Sequence, residues 1–254
     1  MPDISTAGAL LAADSFRVRE FEGSAQVRGF SLHLTRFAAT AGAAAAARVG
    51  PDWVRGTLPR FLALARTQIA ESGAGFPRLE LWYQGATEPQ LALSLRELPP
   101  LTETLAMRSA PDIDLVHPER KGPNIAQLSA LNRTLGAEAL LLDRAGRVLE
   151  GATTSVLWWE QETLCRTASA ERVASVTERI VLSIARDMGV SIASRELAPD
   201  DLARREAWAV NALHGIRPIS TIDAIQLPEG DGGRLAQFRS ALDQSWEPVL
   251  DAEA

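Results

Sequence analysis

Lysine is almost absent from this chain of 254 residues. Of its 26 basic residues one, at position 121, is lysine and 25 are arginine. Cysteine and tyrosine occur once each, as Cys165 and Tyr83, and histidine three times, as His33, His117 and His214. Each scarcity excludes something. One cysteine rules out an intrachain disulfide. The three histidines stand far apart and lack metal-ligand spacing, so no metal site is expected. No apolar run approaches the ~20 residues that span a bilayer, and MPDISTAGALLAADSF has no basic stretch ahead of an apolar one. Neither a membrane segment nor a signal peptide is therefore expected, and the cytoplasm is the expected compartment. The net charge is −6, with the arginines scattered among 32 acidic residues. That pattern argues against nucleic acid or an anionic membrane as partner and points to small molecules. No nucleophile elbow or phosphate-cradling Gly-rich loop occurs, and Gly230 to Gly233 (GDGG) reads as a loop.

What is present is enough apolar sequence, 46% of residues, for one large core or two modest ones. Residues 30 to 48 and 59 to 72 have helical composition. The second places Phe61, Leu64, Ala65 and Ile69 along one face, and the alanine tract of the first suits close helix packing. RLELWYQG (78 to 85) and QLALSLREL (90 to 98) read as paired strands around a GATEP turn, and the following Pro-Pro pair marks a domain boundary near residue 100. Beyond it come an extended piece to His117, a helix from about Pro123 to Gly136 and a meander made of EALLLD, RVLEGA, TTSVLWWE and TLCRT. SVTERIVLSIARDMG is an amphipathic helix ended by Gly189. SIASREL, a short DDLARRE helix, EAWAVNAL, GIRPISTID and a last helix around RLAQFRSALDQSW complete the chain. The expected class is α/β, with a small N-terminal domain over 1–100 and a larger one over 101–254 whose core is mainly antiparallel β.

The lone lysine has a bland explanation, codon drift from Lys to Arg, and a chemical one. A desolvated lysine amine can lose its proton and attack a carbonyl, which a guanidinium does not do. Lys121 sits just before a helix, where backbone and apolar neighbours favour the neutral amine. Downstream lie E138-A-L-L-L-D, then E150-GATTSVLWW, then S175-V-T-E178 at a helix start. Upstream lie A13-DSF-R17-V18 and H33-L-T-R36-F. The order of these pieces resembles the class IV aminotransferases, pyridoxal-phosphate enzymes of fold type IV that include branched-chain and D-amino-acid aminotransferases and aminodeoxychorismate lyases. The resemblance runs from about Asp14 to Asp223.

The resemblance implies a bound pyridoxal 5'-phosphate with Lys121 as the Schiff-base residue and proton shuttle, and Glu150 as the carboxylate facing the pyridine nitrogen. It implies that Val176 and Thr177 offer phosphate-binding amides at a helix N-terminus, with Arg36 as the cationic partner. Arg36 in contact with the phosphate predicts that its loss weakens cofactor retention far more than the fold, and the alternative reading is a surface helix arginine. SVTER also reads as a capping box, Ser175 with Glu178. Glu178 stands where relatives carry arginine. N211-A-L-H-G-I-R-P-I resembles the loop that binds the phosphate and the substrate carboxylate through main-chain amides. This assigns Ala212 to the cofactor, and Asn211, Leu213 and His214 to the substrate. The implied reaction is amino transfer between an amino acid and a 2-oxo acid in a homodimer. Asn-Ala-Leu leans toward the lyases, which release pyruvate from 4-amino-4-deoxychorismate, whereas Val18 stands where they carry a threonine. A catalytically silent cofactor-binding homologue is the third reading. Tyr83 lies on a strand that lines the substrate pocket in relatives, and packing is its expected role.

Overall fold

A computed structural model describes residues 8–85 and 88–250. Ala86 and Thr87 of the GATEP turn, and the MPDISTA leader, lie outside the described residues. The chain separates into two compact units. One contains the residues through Pro100 together with Arg120–Pro123 and the stretch from Trp246; the other contains Leu101–Glu119 and Asn124–Ser245.

The first unit holds β1 (Ala9–Ser15), β2 (Val18–Phe21), β3 (Ser24–Arg28), α1 (Phe30–Val49), α2 (Pro51–Ser72), β4 (Arg78–Tyr83) and β5 (Gln90–Ser94). β4 pairs antiparallel with β1 and β5, with Ala13 opposite Glu80 and Leu79 opposite Leu93. The alanine tract does pack closely: Ala41, Ala44 and Ala45 are buried, and Phe37 of α1 meets Phe61 of α2 at 6.2 Å between ring centroids. α2 begins eight residues before the start its composition suggests, with Pro51 at a position that needs no intrahelical N–H and Pro59 inside the helix. Of the face expected from spacing, Ala65 and Ile69 are buried and Phe61 half-buried, Leu64 is 66% exposed, and Leu58 joins the buried stripe.

The second unit holds β6 (Leu105–Ser109), α3 (Ile125–Leu135), β7 (Glu138–Leu142), β8 (Val148–Gly151), β9 (Ser155–Glu160), β10 (Thr163–Thr167) and α4 (Val176–Asp187). It continues with β11 (Ser191–Arg195), α5 (Pro199–Leu202), β12 (Ala207–Asn211), β13 (Gly215–Ile222), β14 (Ile225–Gln226) and α6 (Gly232–Asp243). Gly232 and Gly233, read as loop, instead open α6, because Asp231 caps it by accepting the Gly233 and Arg234 N–H groups. The sheet runs β11-β10-β9-β12-β13-β6-β7-β8, with β14 on β13, and is mixed: β10–β11, β6–β13 and β6–β7 are parallel, while the other pairs are antiparallel. Alternation along β9 and β12 gives the sheet two apolar faces. Val156, Trp158, Ala207 and Ala209 join one core cluster; Leu157, Trp159, Trp208 and Val210 join another with α4 and α6. β15 (Trp246–Pro248) pairs with β3 and so completes a β15-β3-β2 sheet in the first unit.

Candidate active site

Lys121 belongs to the first unit, where its carbonyl accepts the Ala13 N–H of β1 at 2.8 Å. Gly122 makes this possible. Its φ is 141°, and a Cβ there would lie 2.7–2.8 Å from Ala12 and Ala13 backbone atoms, closer than real contacts allow. The backbone at the lysine is therefore pinned to β1.

The neighbouring residue Asp14 is fully buried and accepts Arg36 Nε at 2.7 Å and Arg36 Nη2 at 2.8 Å, with His33 Nδ1 at 2.8 Å. Burial alone raises a carboxyl pKa, yet the Arg36 and His33 partners hold Asp14 well below its ordinary value. An ionised Asp14 accepts, so His33 carries its proton on Nδ1. Burial lowers the His33 pKa; the Asp14 charge opposes this, while the Arg36 and Lys121 charges add to it. Arg36, expected as the cation that contacts the phosphate, has an exposure of only 14% and commits two nitrogens to Asp14. Sequence alone does not reveal Asp14 as its partner.

Glu150 belongs to the second unit, on β8, and is 9% exposed. Its Oε1 accepts the Val173 N–H at 3.1 Å. The turn after it is built around Glu138, whose carboxylate accepts Thr153 N–H at 2.6 Å, the Thr153 and Thr154 hydroxyls, and Asn132 Nδ2. Gly151 lies in that turn without room for a side chain: a Cβ would come 2.2 Å from Thr154 Oγ1. Asn211 Nδ2 reaches the same turn at Thr153 O, 3.4 Å away, and Asn211 Oδ1 accepts the Leu213 and His214 amides at 3.2 and 2.9 Å. The main-chain donors expected to meet substrate at Leu213 and His214 are therefore already engaged by Asn211. Three residues on, Arg217 is buried and donates to Thr102 Oγ1 at 2.7 Å.

At the start of α4, Ser175 Oγ accepts the Glu178 N–H at 3.2 Å, the N-cap half of the expected capping box. Val176 and Thr177, both buried, occupy the next two positions, whose N–H groups no helix can satisfy internally. The Glu178 carboxylate is buried and bound by Arg172 Nη1 and Nη2 at 2.5 and 2.7 Å and by Arg166 Nη1 at 3.3 Å. Two guanidiniums thus face the one carboxylate at this helix start. Arg172 Nε is buried and has no hydrogen-bond partner. Elsewhere Tyr83 lies beneath the Arg48 guanidinium, 5.1 Å from its ring centroid. Among the described residues no His, Cys, Asp and Glu cluster is arranged to hold a metal ion, and no helix is long and apolar enough to cross a membrane.

The sequence profile described as amino-transferase class IV matches residues 12–222. The chain belongs to this family. Among solved structures, a T.th. branched-chain amino acid aminotransferase with pyridoxamine 5'-phosphate is similar to it at 15% identity and a TM-score of 0.74, covering 96% of this chain and 90% of the other. The Escherichia coli branched-chain enzyme gives 14% and 0.73, over 95% and 85%. A candidate 4-amino-4-deoxychorismate lyase from Legionella pneumophila gives 15% and 0.71, over 94% and 91%. No curated protein matches the sequence. At these identities the structures establish the shared class IV fold, the α/β arrangement of fold type IV expected from the sequence.

Proposed function

We propose that this class IV protein is a pyridoxal-phosphate-dependent aminotransferase that moves an amino group between an amino acid and a 2-oxo acid, working as a homodimer in the cytoplasm. The observation that carries this reading is Lys121. The one lysine of the chain has its backbone pinned to β1 by the Ala13 hydrogen bond and by the Gly122 contact, beside the Asp14, His33 and Arg36 trio. A side chain without a chemical task does not need such placement.

The residues fit the cofactor. Val176 and Thr177 present the amides of two buried residues at a helix start, suited to a phosphate, and Ala212 adds the N–H that Asn211 leaves in its loop. Glu150 is a buried carboxylate held by the Val173 amide, suited to a ring N–H⁺. When bound, pyridoxal phosphate supplies an aldehyde for an amine to capture and a ring that takes up electrons when a proton leaves the substrate α-carbon. Lys121 Nζ would hold the cofactor at that aldehyde and, once released, would carry the proton. Glu150 would keep the ring nitrogen protonated. Arg36, committed to Asp14 through two nitrogens, supports the site as part of the trio beside Lys121, and its contact with phosphate belongs to this proposal as well.

Lyase chemistry on 4-amino-4-deoxychorismate uses the same lysine and is favoured by the Asn211-Ala212-Leu213 wording. Against it stands Val18, which is buried, makes its hydrogen bond through its backbone to Gly75, and offers no hydroxyl.

The deciding experiment treats the purified protein with borohydride and maps the label. One pyridoxyl group per chain is expected on the peptide containing HPERKGPN, and none in Lys121→Arg, which keeps the charge and loses the reactive amine. Label at the Met1 amine alone, or full activity in the arginine variant, would overturn the assignment. An amino-donor screen run beside pyruvate release from aminodeoxychorismate separates transferase from lyase. Turnover of any donor removes the silent-homologue reading.

A further inference from the structure

A buried carboxylate in the first turn of α4 is costly to desolvate, and an ion pair of this kind is a poor device for stability alone. Its geometry points to another task. Residues 172–175 form a strap fastened at both ends to Glu178: Arg172 grips the carboxylate through both terminal nitrogens, and Ser175 Oγ accepts the Glu178 N–H. Between these fastenings the Val173 N–H reaches Glu150 Oε1. Glu150 also lines a cleft of about 560 Å³ with Asp112, Asp114, Asp143 and Glu171 against Arg144 and Arg147. That acid-rich lining on its own disfavours a further charged carboxylate. Arg172 supplies the opposing charge. Burial works to lower its pKa, but the Glu178 hydrogen bonds and the Glu178 and Glu150 charges raise it overall, so it stays a cation shared between two glutamates.

We propose that Glu178 and Arg172 are a positioning pair, which through the strap and the Val173 amide holds Glu150 oriented and ionised toward the cofactor's ring nitrogen. Neither residue is catalytic. The proposal rests on the reading of Glu150 above, and its test is built to fail separately from that reading.

Four variants are compared: Arg172→Met, Glu178→Gln, Arg172→Lys, and the charge-swapped double variant Arg172→Glu with Glu178→Arg. The readouts are melting temperature, exchange of the Val173 amide with solvent, and the nitrogen-15 signal of bound, ring-labelled pyridoxal phosphate, which reports protonation of the ring. Arg172→Met and Glu178→Gln should speed Val173 exchange about tenfold or more, the equivalent of about 1.4 kcal/mol of lost protection, and move the nitrogen signal toward the unprotonated position. Arg172→Lys, which keeps the charge without the fork, should retain the protonated signal and lose part of the amide protection. The swapped variant restores an ion pair and should recover melting temperature. It should not recover the nitrogen signal, because it places a carboxylate beside Glu150. Recovery of both would reduce the pair to a fold-stabilising contact and overturn the proposal. So would unchanged Val173 exchange in Arg172→Met and Glu178→Gln. If the wild-type protein takes up no cofactor, the functional reading fails, and Val173 exchange still decides the positioning claim. Should Arg172→Met not fold, Glu178→Gln, which changes one atom, and Arg172→Lys carry the comparison.

Discussion

Arg36 shows how a single contact changes what a residue is for. With the Asp14 carboxylate fully buried, removing its guanidinium partner leaves a charge with no compensation, and breaking such a pair costs about 3–5 kcal/mol. Arg36→Ala is therefore expected to lower the melting temperature of the apo-protein sharply, and adding Asp14→Ala should recover much of the loss. From sequence, cofactor retention is expected to suffer far more than the fold; the buried pair with Asp14 adds a cost to the fold. An unshifted melting curve in Arg36→Ala would mean that Asp14 is not ionised in the fold. His33 gives a pH dependence. Its pKa is lowered from the ordinary 6.5, so it contributes stability that is complete above about pH 6.5 and is lost as pH falls through the folded value. Thermal melts between pH 7 and 5 should decline more steeply for the wild type than for His33→Asn. Asp14, held far below 3.8, keeps its own contribution through that range. The sequence made Lys121, Glu150 and Arg36 legible as candidates because each sits in a recognisable word. It could not show that Asp14 and Arg36 pair or that Glu138 builds the turn beyond Glu150. Those partners lie on different elements, and nothing local marks them.

Elements are more legible than side-chain partners because hydrophobic period and cap chemistry are local. Gly136, in the left-handed conformation, ends α3, and Ser175 caps α4, as their sequences imply. Where local signals compete, the reading fails. Pro59 reads as a helix start, but α2 runs through it from Pro51, since a helix packed on a neighbour tolerates one lost hydrogen bond. Spacing alone puts Leu64 on the buried stripe, yet it faces outward. At Lys121 and Gly122, which meet β1, backbone geometry bears on the proposed reaction. Gly122→Ala must push its Cβ into the β1 backbone, and it adds strain at φ 141°. The expected outcome is a folded protein, by circular dichroism, in which borohydride labelling of Lys121 drops at least tenfold because the lysine backbone has moved. Labelling at the wild-type level would show that the strand tolerates the shift.

At the scale of the whole chain, one boundary is expected from sequence, near residue 100 at the Pro-Pro pair, and nothing in the sequence marks two returns to the first unit. Arg120–Pro123 and the stretch from Trp246 join it from afar, and no periodicity announces a partner so remote. The C-terminal return is substantial. β15 pairs with β3, Val249 is buried, and the Arg19 and Arg28 guanidiniums lie 4.4 and 4.3 Å from the Trp246 ring centroid. Truncation after Ser245 is therefore expected to lower the melting temperature and release β3 to faster amide exchange, while β9 and β12 of the second unit keep their protection. Equal loss in both would show that the units unfold as one. The same return sets the order of events at the ribosome. Glu247 accepts the Ser31 N–H across 216 residues of sequence, and Arg66 donates to the Val249 carbonyl across 183. The strands translated first must wait, with one edge of β3 unpaired, until β15 has left the exit tunnel. During synthesis that edge is a template for wrong partners, and the growing chain is an expected client for chaperones until its final strand arrives.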